Sequence, residues 1–136
     1  MIIHLGDCWA DAEQLHRKFP MTVMEQVPGN CDCRQEVQER ILLIEGKKIL
    51  ICHGHTFNVK AGYLNLEYAA EERKVDAALF GHTHRVFYDK HNRIAYMNPG
   101  SIGQPPYGIP PSYGVLQVDG SSNTIATDVI YLEENN

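Results

Sequence analysis

Apolar residues along this chain come in short bursts, roughly four to eight positions long, and most of them end in glycine, proline or a polar turn. Ile2–Leu5 reads as a strand ending at Gly6-Asp7, and Thr22–Val27 as another ending at Pro28-Gly29-Asn30. Val37–Ile44 and Lys47–Cys52 flank Glu45-Gly46, the pattern of a hairpin with a two-residue turn, and the second strand runs into His53-Gly54-His55. Val75–Phe80 is a short apolar run bounded by Gly81, which predicts a strand buried on both faces. His82-Thr83-His84 follows it. Val86–Tyr88 and Ile94–Met97 predict a further hairpin around Lys90-His91-Asn92, and Tyr113–Val118 with Thr124–Leu132 a last one. Two stretches carry helical signals instead. Asp11 caps a predicted helix running through Ala12 and Leu15 to Phe19, where Pro20 stops it, and the alanine, leucine and glutamate of Gly62–Arg73 favour a second. The glycine- and proline-rich stretch Asn98–Ser112 reads as a long loop of the kind that carries function.

At 136 residues and 43% hydrophobic, the chain is expected to form a single domain over 1–136 with a real core. Its 17 acidic against 12 basic residues, net charge -5, offer no general attraction to nucleic acid or to anionic membrane. An anionic substrate then needs a local positive centre, such as a metal. No apolar run approaches the roughly 18 residues that cross a bilayer, and the start lacks the pattern of a signal peptide, so a cytoplasmic protein is the expectation. The four cysteines, Cys8, Cys31, Cys33 and Cys52, lack the spacing of a zinc ribbon or a redox motif and are expected to be reduced. Alternation in extended chain turns Cys8 and Cys52 toward the core while their neighbours Asp7 and His53 face the cavity at the strand ends.

The chemistry gathers at strand ends. Four of them supply Asp7, Asn30, His53 and the pair His82 and His84. Ligands at the carboxyl ends of such strands face a shared crevice. A carboxylate, an amide and imidazoles mix hard oxygen with borderline nitrogen donors, which suits a divalent transition metal. Asp7, with two oxygens, is suited to bridge two ions about 3.5 to 4 Å apart, the separation of two-metal phosphate-cleaving sites. His4, His16 and His91 have no such company and read as ordinary residues.

Gly6-Asp7, Gly29-Asn30-Cys31-Asp32, His53-Gly54-His55 and Gly81-His82-Thr83-His84 resemble the successive blocks of the calcineurin-like metallophosphoesterases. Asn98-Pro99-Gly100-Ser101 is similar to the small bacterial YfcE-type branch of that superfamily. The resemblance implies an α/β fold, a four-layer αββα sandwich of two mixed sheets flanked by helices, here without its first strand and helix. It implies a phosphodiesterase that hydrolyses a small phosphate ester with a metal-activated hydroxide. Mn2+ is the first choice of metal, with Zn2+, Fe2+ and Ni2+ as alternatives. Asp7, Asn30, His53 and His82 would be catalytic and metal-binding. Asp7 would bridge, Asn30, His53 and His82 would hold the second ion, and His84 would help hold the first. His55, Cys31 and Asp32 would touch substrate or support the ligands, and Asn98–Ser101 either lines the site through its backbone or is a plain turn. The family also leaves room for a homo-oligomer.

Two departures matter. The family's opening Asp-x-His strand is missing ahead of Asp7, so one well-held metal and one weak or empty site are expected, together with an unpaired sheet edge. A late start at Met1 is the simplest account. Cys31 stands where many members of the wider superfamily carry a histidine able to protonate the leaving group; a thiol is a poor substitute, which favours good leaving groups. Gln104-Pro105-Pro106-Tyr107 also departs from the more basic sequence of relatives. Beside the phosphodiesterase stand two other readings: a non-catalytic or weakly active interaction module of Vps29-like fold, and a single zinc site of histidine with Cys31 and Cys33.

Overall fold

The computed structural model describes residues 1–133. In chain order its elements are β1 (Ile2–His4), α1 (Trp9–Lys18), β2 (Met24–Gln26), β3 (Glu39–Ile44), β4 (Lys47–Cys52), α2 (Leu64–Glu72), β5 (Ala77–Leu79), β6 (Val86–His91), β7 (Ile94–Pro99), β8 (Ser112–Asp119) and β9 (Thr124–Tyr131). Five strands form one mixed sheet in the order β3-β4-β5-β7-β6. Its middle strands β4, β5 and β7 run parallel, with β3 and β6 antiparallel at the edges.

Alternation along the strands gives this sheet two different faces. Leu50, Cys52, Ala78, Ile94 and Tyr96 point to one side, where Leu66 and Ala70 of α2 join Val59 and Phe80. Ile49, Ile51, Ala77, Leu79, Ala95 and Met97 point to the other. That second face is covered by Ile3 and Leu5 beside β1 and by Leu116, Ile125 and Val129 of β8 and β9. Every residue of β5 is buried, as its uninterrupted apolar run predicts.

The layers follow the expected α/β sandwich, with one difference. The covering layer is two separate pieces among the described residues, the parallel pair β1-β2 and the antiparallel ribbon β8-β9, in place of one continuous mixed sheet. An apolar face needs apolar cover, and two short pieces supply it without sharing a hydrogen-bond ladder.

Local corrections have clear causes. Helix α1 starts at Trp9, with Asp11 in its first turn and not at its cap. Asp7 and Cys8 both take left-handed backbone angles, φ 60 and 53. The chain there is coiled, so alternation does not apply, and Cys8 is exposed instead of facing the core, whereas Cys52 is buried. The β6-β7 turn falls at Asn92-Arg93, φ 48 and 67, later than the pattern suggested. Two left-handed residues match the twist of a tight hairpin, as do Glu45 and Gly46, φ 48 and 78, between β3 and β4. The later turn lengthens β7, so Asn98 and Pro99 complete a strand before the loop begins. Among the described residues no helix is long and apolar enough to cross a membrane.

Candidate metal centre

The parallel neighbours β4 and β5 end side by side, and the Gly81 amide donates to the His53 carbonyl at 2.9 Å. The two loops bearing His53 and His82 are thereby joined. β1 and β2 are also parallel, and the loops that follow them carry Asp7 and Asn30. All four ends meet on one rim.

His53, only 2% exposed, is its centre. Nδ1 lies 2.8 Å from the Leu5 carbonyl oxygen, which can only accept, so the proton sits on Nδ1 and Nε2 keeps its lone pair. Around Nε2 stand Asn30 Oδ1 and His82 Nδ1, each at 3.1 Å, and Asp7 Oδ2 at 3.5 Å. The amide and carboxylate oxygens bring lone pairs of their own. Protonation of His53 would relieve the crowding, but burial pushes its pKa down, against the opposing pull of the Leu5 carbonyl and Asp7. His82 is lowered to about 4, first by burial and then by the neighbouring imidazole of His53 and by Lys60. Near neutral pH both imidazoles are therefore uncharged, each with one ring nitrogen able to bind a cation, and the 3.1 Å contact between them is a hydrogen bond when His82 carries its proton on Nδ1.

That chemistry fits a cation. Donors about 2.0 to 2.2 Å from a shared ion, at octahedral or tetrahedral angles, lie roughly 3.0 to 3.5 Å apart, the separations found around Nε2. Among the described residues no group of three or more His, Cys, Asp or Glu side chains is arranged to hold a metal by itself. The convergent set here includes the Asn30 amide and is linked through His53.

Glycines make the close approach possible. A Cβ on Gly6, whose φ is +98, would stand 2.6 Å from His53 Nδ1, and one on Gly29 would overlap the Asp7 carboxylate. Asp7 Oδ1 accepts the Cys31 amide at 3.0 Å, which leaves Oδ2 for His53. Asp32 accepts the Gly29 amide at 2.7 Å and the Trp9 amide at 2.9 Å, stapling the Asn30 loop to the start of α1.

The remaining residues fall at different distances from this rim. His55 lies close, its ring 5.3 Å from His53 and 6.0 Å from His82, with a buried Nδ1 that has no hydrogen-bond partner among the described residues. His84, φ 56, makes no hydrogen bond or ion pair among the described residues. The exposed Cys31 thiol accepts from the Asn30 amide nitrogen at 3.5 Å, and the Asp7 carboxylate raises its pKa. Cys33 is exposed as well.

Asn98 has a part that its sequence context did not reveal. Completely buried, it donates to the Gly81 carbonyl at 2.8 Å and to Thr83 Oγ1 at 3.0 Å, and accepts the Gly100 amide at 3.0 Å. It braces the loop that presents His82. The available signal was a lone polar side chain closing the apolar strand Ile94–Met97.

The profile of the Calcineurin-like phosphoesterase superfamily domain matches residues 1–121. The probable metallophosphoesterase YsnB of Bacillus subtilis is 35% identical over 127 residues, 92% of this chain and 72% of YsnB. Phosphodiesterase YfcE of Escherichia coli K12 is 30% identical over 114 residues, 84% of this chain but only 50% of YfcE. Among solved structures, a predicted phosphoesterase from Streptococcus pneumoniae superposes with a TM-score of 0.78 at 22% identity, covering 96% of this chain and 87% of the other. Zinc-complexed Vps29 from Entamoeba histolytica gives 0.69 at 20% identity, covering 91% and 77%. These two share the fold. With its matched profile and its relatives, the chain belongs to the calcineurin-like phosphoesterase superfamily.

Proposed function

We propose that the chain is a metal-dependent phosphodiesterase whose cation is held by Asp7, Asn30, His53 and His82, with Mn2+ the preferred ion and His84 contributing to a second, weaker site. The observation that carries this reading is the convergence of Asn30 Oδ1, His82 Nδ1 and Asp7 Oδ2 on His53 Nε2. A divalent cation supplies Lewis acidity to phosphoryl oxygens and acidifies water. The protein's part is to keep the donors ready. The Leu5 carbonyl holds His53 in the tautomer that offers Nε2, and Asn98 keeps the His82 loop on the rim. Cys31, its pKa raised by Asp7, retains its proton near neutral pH. It is a weak acid for a departing alkoxide, so esters with good leaving groups are preferred. YfcE, a relative named as a phosphodiesterase, supports the choice of diester over monoester.

The test is hydrolysis of bis(p-nitrophenyl) phosphate by the purified chain with Mn2+. Replacing even a group that supports a metal ligand costs 10–100-fold, so His82→Ala is expected to lower kcat/KM by about 100-fold or more. Turnover that His82→Ala leaves untouched would place the chemistry elsewhere. The Vps29 structures share this fold and support a second reading, a metal-binding interaction module. Tight Mn2+ binding without turnover is the outcome that would favour it.

A further inference from the structure

An open cavity of about 410 Å³ at the surface has Asp7 in its wall. Besides Asp7 its walls include Trp9, Cys31, Arg34 and Gln104. The first turn of α1, the Asn30 loop and the long loop after β7 thus converge on one space.

Two of these walls are built as a unit. The Trp9 indole donates from Nε1 to Glu13 Oε1 at 2.9 Å, and the Arg34 guanidinium approaches the same oxygen at 3.8 Å. Arg34 Cζ stands 5.1 Å from the centre of the indole ring, in cation–π range. One carboxylate thereby orients a flat aromatic group and a flat cation together. The backbone of Trp9 is pinned by Asp32, the residue that also pins Gly29 beside Asn30. The platform is therefore in fixed register with the donors of the metal centre. Gln104, whose backbone N–H donates to Ser101 Oγ at 2.9 Å, brings a side chain that can both donate and accept.

We propose that this cavity is the subsite for the alcohol half of the ester, and that it takes a flat heteroaromatic ring such as the base of a nucleoside. The inference rests on the phosphodiesterase reading for the place of the phosphate, at Asp7. The ring's recognition rests on Trp9, Arg34 and Gln104 alone. Rings stack on indole and guanidinium planes with little regard to their identity, and a side-chain amide reads polar ring edges. An aliphatic alcohol would leave these planes uncovered.

Trp9 is the single tryptophan of the chain, which gives a readout independent of metal and turnover. The metal-free protein is titrated with adenosine, the alcohol such an ester would release, and with ribose as the ringless control, following tryptophan emission. Adenosine is expected to quench Trp9 saturably and ribose to leave it unchanged. Stacking is worth about 1–3 kcal/mol, so Arg34→Ala is expected to weaken adenosine binding roughly fivefold or more. Gln104→Ala, on the facing loop, is expected to weaken it less. No saturable quenching, an equal response to ribose, or unchanged binding in Arg34→Ala would each overturn the proposal. Hydrolysis of bis(p-nitrophenyl) phosphate without adenosine binding would remove the subsite and leave the phosphodiesterase standing. Adenosine binding lost in Arg34→Ala, in a chain that hydrolyses nothing with Mn2+, would support the ring site and remove the phosphodiesterase.

Discussion

The nitrogen and oxygen halves of the candidate centre stand on very different ground. His53 and His82 extend from β4 and β5, whose residues Ile49–Cys52 and Ala77–Leu79 are all buried in a five-stranded sheet. Asp7 and Asn30 follow β1 and β2, three residues each, half-exposed throughout and, among the described residues, paired only with one another. The imidazoles inherit their positions from a packed core. The oxygens are set by local devices, namely glycines, the Asp32 staple and the Cys31 amide on Asp7. A cation binding here would fasten the thin layer onto the thick one, a task that the His53 bond to Leu5 begins.

Truncating a side chain in each layer should give the largest contrast. Phe80→Ala removes a fully buried ring packed against Tyr63 and Phe87 and is expected to cost about 3–5 kcal/mol in urea unfolding. Ile3→Ala, on the half-exposed β1, should cost less than half of that. Equal costs would break the comparison.

Mn2+ at 100 times its Kd should stabilise the chain by about 2.7 kcal/mol, reversed by chelation. By hydrogen exchange, the added protection should be greater in β1 and β2 than in β4 and β5. Uniform protection, or protection confined to the larger sheet, would sink the fastening role. Asn98→Ala leaves the Gly81 carbonyl without its donor and should cost about 1–3 kcal/mol, with weaker Mn2+ binding in titration calorimetry.

A last effect shows only at high pH. Burial pushes the Cys52 thiol from its ordinary 9.0 to about 12. Its contribution to stability is complete below pH 9 and is lost as pH rises toward 12, because the unfolded thiol ionises first. Cys52→Ala should flatten that decline in chemical denaturation. A thiol reagent should find Cys8, Cys31 and Cys33 in the folded chain and Cys52 only after unfolding.

The thick layer was the more legible of the two from sequence. Ile49–Cys52 and Ala77–Phe80 are apolar because both their faces are covered, and strands of that kind declare themselves in composition. The motif residues are legible for a different reason: they are polar groups placed where an apolar strand stops. What escaped depends on backbone shape. The left-handed run at Asp7-Cys8 broke the alternation that had turned Cys8 inward and moved the start of α1. The Asn92-Arg93 turn carries no glycine, so its place was hidden, and with it the strand position of Asn98. The division of the covering layer into two pieces is a tertiary outcome with no local signature.

Gly6 and Gly29 contribute no donor atom, yet each fills the last gap beside a residue that does. In a saturation scan selected for phosphoester cleavage, both should tolerate as little change as His53 itself. A library that randomises only polar side chains would overlook two of the most restrictive positions in the chain. Directed evolution of this scaffold would do better to leave that pair alone and diversify the walls around Trp9.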